Sequence, residues 1–197
     1  MTATEYATYI AGTTPVGWWG MNETGAATTT ADLSGAYGAA NNGAGANLPL
    51  TYQNPGVNSV PNLAGFVSGA GNRAAYFDGT TAAGAFGNSP SAYANPTVTG
   101  TIYYLTSGFA VEVWVKLDGN PATAGRFFAT REFGMGVVPN TRIIQFTTFG
   151  VKDYFSTAAL PNDGLWHQIG VSWDGTTGTA SFYIDGVPAG TMAGPAN

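Results

Sequence analysis

The chain has 197 residues, no cysteine, one histidine and a formal net charge of −5. That length suits one sandwich-sized domain better than two. Without cysteine there is neither a disulfide framework nor a thiolate metal site, and one histidine cannot supply the usual zinc sets. The six Lys and Arg residues lie far apart. No basic stripe therefore exists to displace counterions from phosphate, which excludes nucleic acid as a partner. No apolar run is long enough to span a bilayer, so membrane insertion is not expected. Charged residues make up only 9% of the chain. Its surface must then be built mainly from Thr, Ser, Asn, Gly and backbone, which suits an extracellular or particle-bound protein. The first residues lack the basic and apolar regions of a secretory signal. The expectation is a mature fragment, or a protein made in the cytoplasm and used outside.

Residues 1–12 read as a short helix, with Tyr6, Tyr9 and Ile10 on one face and Gly12 as its stop. They form a lead or docking segment ahead of one domain over 13–197. Pro15 to Met21 reads as the first strand. Residues 24–72 read as long loops with short strands, anchored by Leu48, Leu50, Tyr52, Leu63 and Phe66. Arg73 to Gly79 is a strand and turn. Residues 81–107 form a lobed insertion around Pro90, Pro96 and the Tyr103-Tyr104 pair. Phe109 to Leu117 is the cleanest strand. Phe109, Val111, Val113, Val115 and Leu117 share one face; Ala110, Glu112, Trp114 and Lys116 share the other. Residues 126–133, 142–149 and 151–156 supply three short strands.

Two alternating strands follow, closed by Asp174-Gly175 and Asp185-Gly186. Five of the seven Asp residues precede a glycine: Asp78, Asp118, Asp163, Asp174 and Asp185. Asp-Gly between alternating apolar runs marks a hairpin, because Gly supplies the positive φ the turn requires. Gly175 is one glycine expected at such a φ. The fold is therefore antiparallel β. Its expected core holds Val111, Val113, Val115, Ile169, Val171, Phe182 and Ile184.

Glu112 is the residue that would carry hydrolysis. A retaining glycosidase needs a second carboxylate about 5–5.5 Å away. Glu112 is followed on its face by Trp114 and then Lys116, so the second acid is missing and no enzyme is expected. Glu112 instead reads as an ion-pair residue, with Lys116 as partner. His167 shares a face with Ile169, Val171 and Trp173, which fits a hydrogen-bonded histidine at the sheet edge. Ser172 lies on the opposite face and no nucleophile elbow exists. Trp114 is the best sugar-stacking candidate, because its outward neighbours Glu112 and Lys116 are polar. The aspartates read as turn residues.

Several stretches together resemble one family. Asp163-Gly164, Trp166-His167, Asp174 to Gly178 and Tyr183 to Gly186 match, in order, the "DG-x-WH", "DG-T-x-G" and "YxDG" of laminin-G-like modules in the concanavalin A-like lectin/glucanase superfamily. FAVEVWVKL is similar to the family's "FTVEAWVK", and RAAYFDG to its "ALxFDG". The opening PVGWWGMNETG, continued by Asp32-x-Ser34-Gly35, resembles the start of such modules in tailed-phage virion proteins.

The resemblance implies an all-β fold, an antiparallel two-sheet jelly-roll sandwich. It implies a non-enzymatic structural or adhesion module on a tailed-phage virion surface, as capsid decoration or fibre, able to bind glycans through Trp114, Glu112 and Lys116. The alternative is an extracellular carbohydrate-binding module of a secreted bacterial protein; a glycoside hydrolase is disfavoured. Partners would be other copies of the chain or a capsid or tail shell, and cell-surface glycans. Some relatives bind calcium between loops, which makes Glu23, Asp32 and Asp78 its candidate ligands. In the family, further strands follow the "YxDG" hairpin, whereas here few residues follow Gly186. A short strand, or one lent by a neighbour, is expected to complete the sheet. A homo-oligomer, a trimer first, follows from that.

Overall fold

A computed structural model describes residues 3–12, 29–30, 50–51, 63–64, 73–74, 108–121, 125–129 and 133–196. The chain divides into two units, Met1–Thr99 and Gly100–Asn197. The first begins with helix α1 (Ala3–Gly12), which carries Glu5 in its first turn, where the helix dipole favours an acid. Tyr9 is exposed on it. Two short antiparallel ladders follow: β1 (Thr29–Thr30) with β2 (Leu50–Thr51), and β3 (Leu63–Ala64) with β4 (Arg73–Ala74). The strand expected over 15–21, the lobe over 81–107 and the calcium candidates Glu23, Asp32 and Asp78 lie outside the described residues.

The second unit is built from alternating strands that bury every second side chain. One antiparallel sheet has the order β12-β11-β10-β5. Its strands are β5 (Phe109–Val115), β10 (His167–Asp174), β11 (Thr179–Ile184) and β12 (Val187–Ala193). The other has the order β6-β7-β8-β9, from β6 (Gly125–Ala129), β7 (Phe133–Val137), β8 (Ile143–Thr148) and β9 (Lys152–Ala159). Their inner faces meet in one core. Met135, Val137, Ile144, Phe146 and Tyr154 come from one sheet; Ile169, Val171, Trp173 and Phe182 come from the other. Phe109, Val111, Val113, Val115 and Ile184 pack against it, half-buried. Phe146 is the hub. Its ring centroid lies 6.0 Å from Phe109, 6.0 Å from Phe133, 5.8 Å from Tyr154 and 5.9 Å from Trp173. These separations suit edge and tilted aromatic pairs, each worth about 0.5–1.5 kcal/mol beyond burial. The expected jelly-roll sandwich and its core are therefore present.

Three details differ from the expectations. First, the segment after β5 holds four strands before β10, not three. β7 was hidden because its outward positions are Gly134 and Gly136, which break the polar half of the alternation. Second, of the two alternatives expected after Gly186, a short strand or a lent one, the chain supplies its own strand, β12, paired along β11. Thr157 Oγ1 on β9 donates to Ala189 O at 3.0 Å, and Lys152 Nζ donates to Ala193 O at 2.8 Å. Side chains of β9 thus occupy the edge of β12, which weakens the expectation of a lent strand. Third, Gly175 does not hold a positive φ. In the β10–β11 turn that role falls to Gly178, at φ 65°, packed under the Pro195 carbonyl. Asp174 organises the turn instead. Its Oδ1 accepts from the Thr176 N–H at 2.9 Å and its Oδ2 from the Thr177 hydroxyl at 2.9 Å. The Asp185-Gly186 turn does follow expectation, with φ of 53° and 76°. Two positive values are what a type I′ hairpin requires.

Arg142 is buried between loops, and its acceptors among the described residues are all neutral. Its guanidinium donates to Asn120 Oδ1, Gly119 O, Pro161 O and Asn162 Oδ1 at 2.6–3.1 Å. It ties the β5–β6 loop to the segment after β9.

Candidate outer-sheet binding face

The outward side of the β12-β11-β10-β5 sheet carries the three site residues expected from sequence. Glu112 and Trp114 point outward from β5, and Lys116 lies just past its end, exposed. Register decides what faces them. Trp114 pairs with Gln168; Glu112 pairs with Gly170, and Gly170 with Tyr183. Ala110, Ser172 and Ser181 form the next row. Gly170 has no side chain to fill its place, so among the described residues a gap is left between Glu112 and Tyr183. Those two residues sit two strand spacings apart, about 9.6 Å. Tyr183 is 37% exposed, and Trp114 and Gln168 are half-buried. The face thus has aromatic rings on two strands, an acid and an amide beside them, and between them, among the described residues, a position with no side chain.

The sheet and its turns carry three carboxylates: Glu112, Asp174 and Asp185. Both oxygens of Asp174 are held in its turn. Asp185 Oδ1 accepts from the Gln168 N–H at 2.9 Å, and its Oδ2 lies 2.7 Å from His167 Nδ1. Glu112 has interaction partners of its own.

His167 begins β10 opposite Val115, buried on the core side. Its Nε2 lies 3.0 Å from Asp163 Oδ1, which also accepts from the Leu165 N–H at 2.9 Å. Burial pulls the imidazole pKa down, but hydrogen bonds and charge from Asp185 and Asp163 outweigh it, so the net shift is upward. The hydrogen bond to His167 and that from Leu165 hold the Asp163 carboxyl below its ordinary value.

The β6-β7-β8-β9 sheet has its own outward face. Arg126 crosses above Gly134, donates to Thr147 Oγ1 at 3.1 Å and lies 5.0 Å over the Phe149 ring. Phe155 is partly exposed there. Among the described residues no group of three or more His, Cys, Asp or Glu side chains can hold a metal ion. No described helix is long and apolar enough to cross a membrane.

Sequence reasoning found Trp114, Glu112 and Lys116 because they alternate within one strand. Tyr183 and Gly170 were missed because they reach the same face only through cross-strand register. The Asp185-Gly186 turn and the glycine in the middle of β10 were the available signals.

A laminin G family model, described as the concanavalin A-like lectin/glucanases superfamily, matches residues 88–197, more than half of the chain. The chain belongs to that superfamily. Among solved structures, the crystal structure of a native heptameric SAP-like pentraxin from Limulus polyphemus is similar, with 19% identity and a TM-score of 0.35. The likeness covers 45% of this chain and 44% of that one. No curated protein matches the chain.

Proposed function

We propose that this chain is a non-enzymatic carbohydrate-binding and adhesion module, with its ligand face on the outward side of the β12-β11-β10-β5 sheet. The carrying observation is the gap that Gly170 leaves, among the described residues, between Glu112 and Tyr183, with Trp114 beside it. Apolar sugar faces stack on aromatic rings, while nearby carboxylate and amide groups fix orientation through hydroxyls. Here Trp114 and Tyr183 stack, and Glu112, Gln168 and Lys116 orient. Membership of a superfamily of lectins and glucanases supports the ligand class. The non-enzymatic reading rests on the carboxylates, since Asp174 and Asp185 are already engaged and Lys116 occupies the next outward position beyond Trp114.

The finer placement is the surface of a tailed-phage particle, as capsid decoration or fibre. It rests on the resemblance of the PVGWWGMNETG opening. Self-association, or docking on a shell, belongs to the same reading. Val151, Leu165 and Val187, exposed at 56%, 62% and 64%, offer apolar contacts for it. The second reading, a module of a secreted bacterial protein, uses the same face. The test is a glycan array with the full chain and with Trp114→Ala and Tyr183→Ala. Binding lost in both variants supports the reading. Binding unchanged in both, or glycan hydrolysis abolished by Glu112→Gln, refutes it.

A further inference from the structure

We propose that His167 is a pH-dependent clamp that holds the loop before β10, and with it Trp166, in place beside the ligand face. The role given to Trp166 rests on reading this sheet as that face; the clamp itself does not.

Both ring nitrogens of His167 face carboxylate oxygens, at 2.7 Å to Asp185 and 3.0 Å to Asp163. An ionised carboxylate accepts and cannot donate, while a neutral imidazole carries one N–H and an imidazolium two. Only the imidazolium satisfies both neighbours. Among the described residues, the elements around the ring bring it no other charge: Asp163 comes from the preceding loop, Asp185 from the β11–β12 turn, and β5 opposes it with Val115. When the proton leaves for solvent, one contact becomes a nitrogen lone pair facing a carboxylate. The geometry selects which one. Asp185 is nearer, is held by the Gln168 N–H, and sits in a turn whose own N–H donates to Gln168 O at 2.9 Å. Asp163 lies in an exposed loop, where its contacts are His167 and the Leu165 N–H. The Nδ1–H tautomer therefore keeps Asp185 and releases Asp163.

The release has a place to act. Residues 163–166 enter β10 directly, and Trp166 precedes Gln168, Gly170 and Ser172 on the outward alternation of that strand. A fixed loop keeps Trp166 one outward step along β10 from the Gln168–Trp114 pair. A released loop changes the strand entry on which Trp166, which has contacts of its own, is set, and so alters that end of the face. Glycan binding should be tighter below the His167 pKa and weaker above it.

His167 is the only histidine in the chain, so its NMR titration needs no assignment. The expected curve has a pKa above the ordinary 6.5, ends in the Nδ1–H tautomer, and is followed by the backbone amide shifts of Leu165 and Trp166. Asp163→Asn supplies a side-chain amide that can donate to a neutral imidazole. In that variant the Leu165 and Trp166 shifts should stop following pH. On a glycan array read at about pH 6 and pH 8.5, wild-type binding should fall by about tenfold at the higher pH, the low end of one charged hydrogen bond. Asp163→Asn should show no such fall. A pKa below 6.5, or loop amides indifferent to the histidine, overturns the clamp. A loop that follows the histidine while glycan binding stays constant with pH overturns the role of Trp166. Failure of any glycan to bind at either pH overturns the ligand-face reading, while the NMR curve still decides the clamp.

Discussion

Filling the floor of the proposed face should separate binding from folding. Gly170 sits mid-strand with a φ outside the left-handed region, so an L side chain is tolerated there. Among the described residues, a Cβ placed on it would meet Tyr183 alone, at 3.6 Å from Cβ and 3.9 Å from Cδ2, ordinary van der Waals contact. Gly170→Val therefore introduces no clash with the described residues. It restricts the unfolded chain, a gain of about 0.4–1 kcal/mol where the conformation is compatible. The β-branched side chain opposite Tyr183 adds about 0.2–1 kcal/mol as a cross-strand pair. One kcal/mol shifts Tm by about 4–8 °C in a domain of 60–100 residues, so Tm should rise by about 2–16 °C. The same substitution occupies the space between Glu112 and Tyr183, and glycan binding should fall at least tenfold. Circular dichroism melts and binding on the array measure the two effects. A variant that melts below wild type shows that the strand is hemmed in at Gly170. A variant that is stable and binds as wild type shows that the ligand does not use this floor.

Three other outcomes follow from the same structure. Phe146→Ala removes a fully buried ring packed on four aromatic neighbours and should cost about 3–5 kcal/mol in urea unfolding; a loss under about 1 kcal/mol would contradict the two-sheet core. Gly178→Ala should destabilise strongly, since it combines a φ of 65° with a collision at Pro195 O; an unchanged thermal melt would contradict the placing of the turn's strained glycine at 178. His167, with its raised pKa, contributes stability that is complete below 6.5 and is lost as pH rises through its folded value. Asp163, with its lowered pKa, contributes stability present above 3.8 and lost as pH falls. The clamp is thus strongest between those values, and denaturant unfolding against pH should lose its high-pH slope in His167→Gln.

Much of the sandwich was legible because its central strands alternate strictly and its turns announce themselves. Phe109 to Leu117 and His167 to Asp174 fixed the core faces, and Asp185-Gly186 fixed a hairpin. Where a strand departs from period two, legibility failed. Gly134 and Gly136 removed the outward polar residues of β7. Pro188 and Gly190 made β12 look like a tail, and a register shift between Phe182 and Tyr183 offsets its pairing. The site was half legible for a related reason. Trp114, Glu112 and Lys116 share one strand, but Tyr183 and the gap at Gly170 belong to register, which is a tertiary property. Asp163 and Asp185 were read as turn residues, and they are; binding His167 is a second use of the same side chains that turn chemistry alone does not reveal.

The central claim is that a glycan sits on the β12-β11-β10-β5 face. Amide chemical-shift mapping, with the strongest array binder titrated into the full labelled chain, tests it most directly. Shifts should concentrate at Glu112, Trp114, Gln168, Gly170 and Tyr183. Shifts concentrated instead around Arg126, Phe149 and Phe155 on the opposite sheet would contradict it.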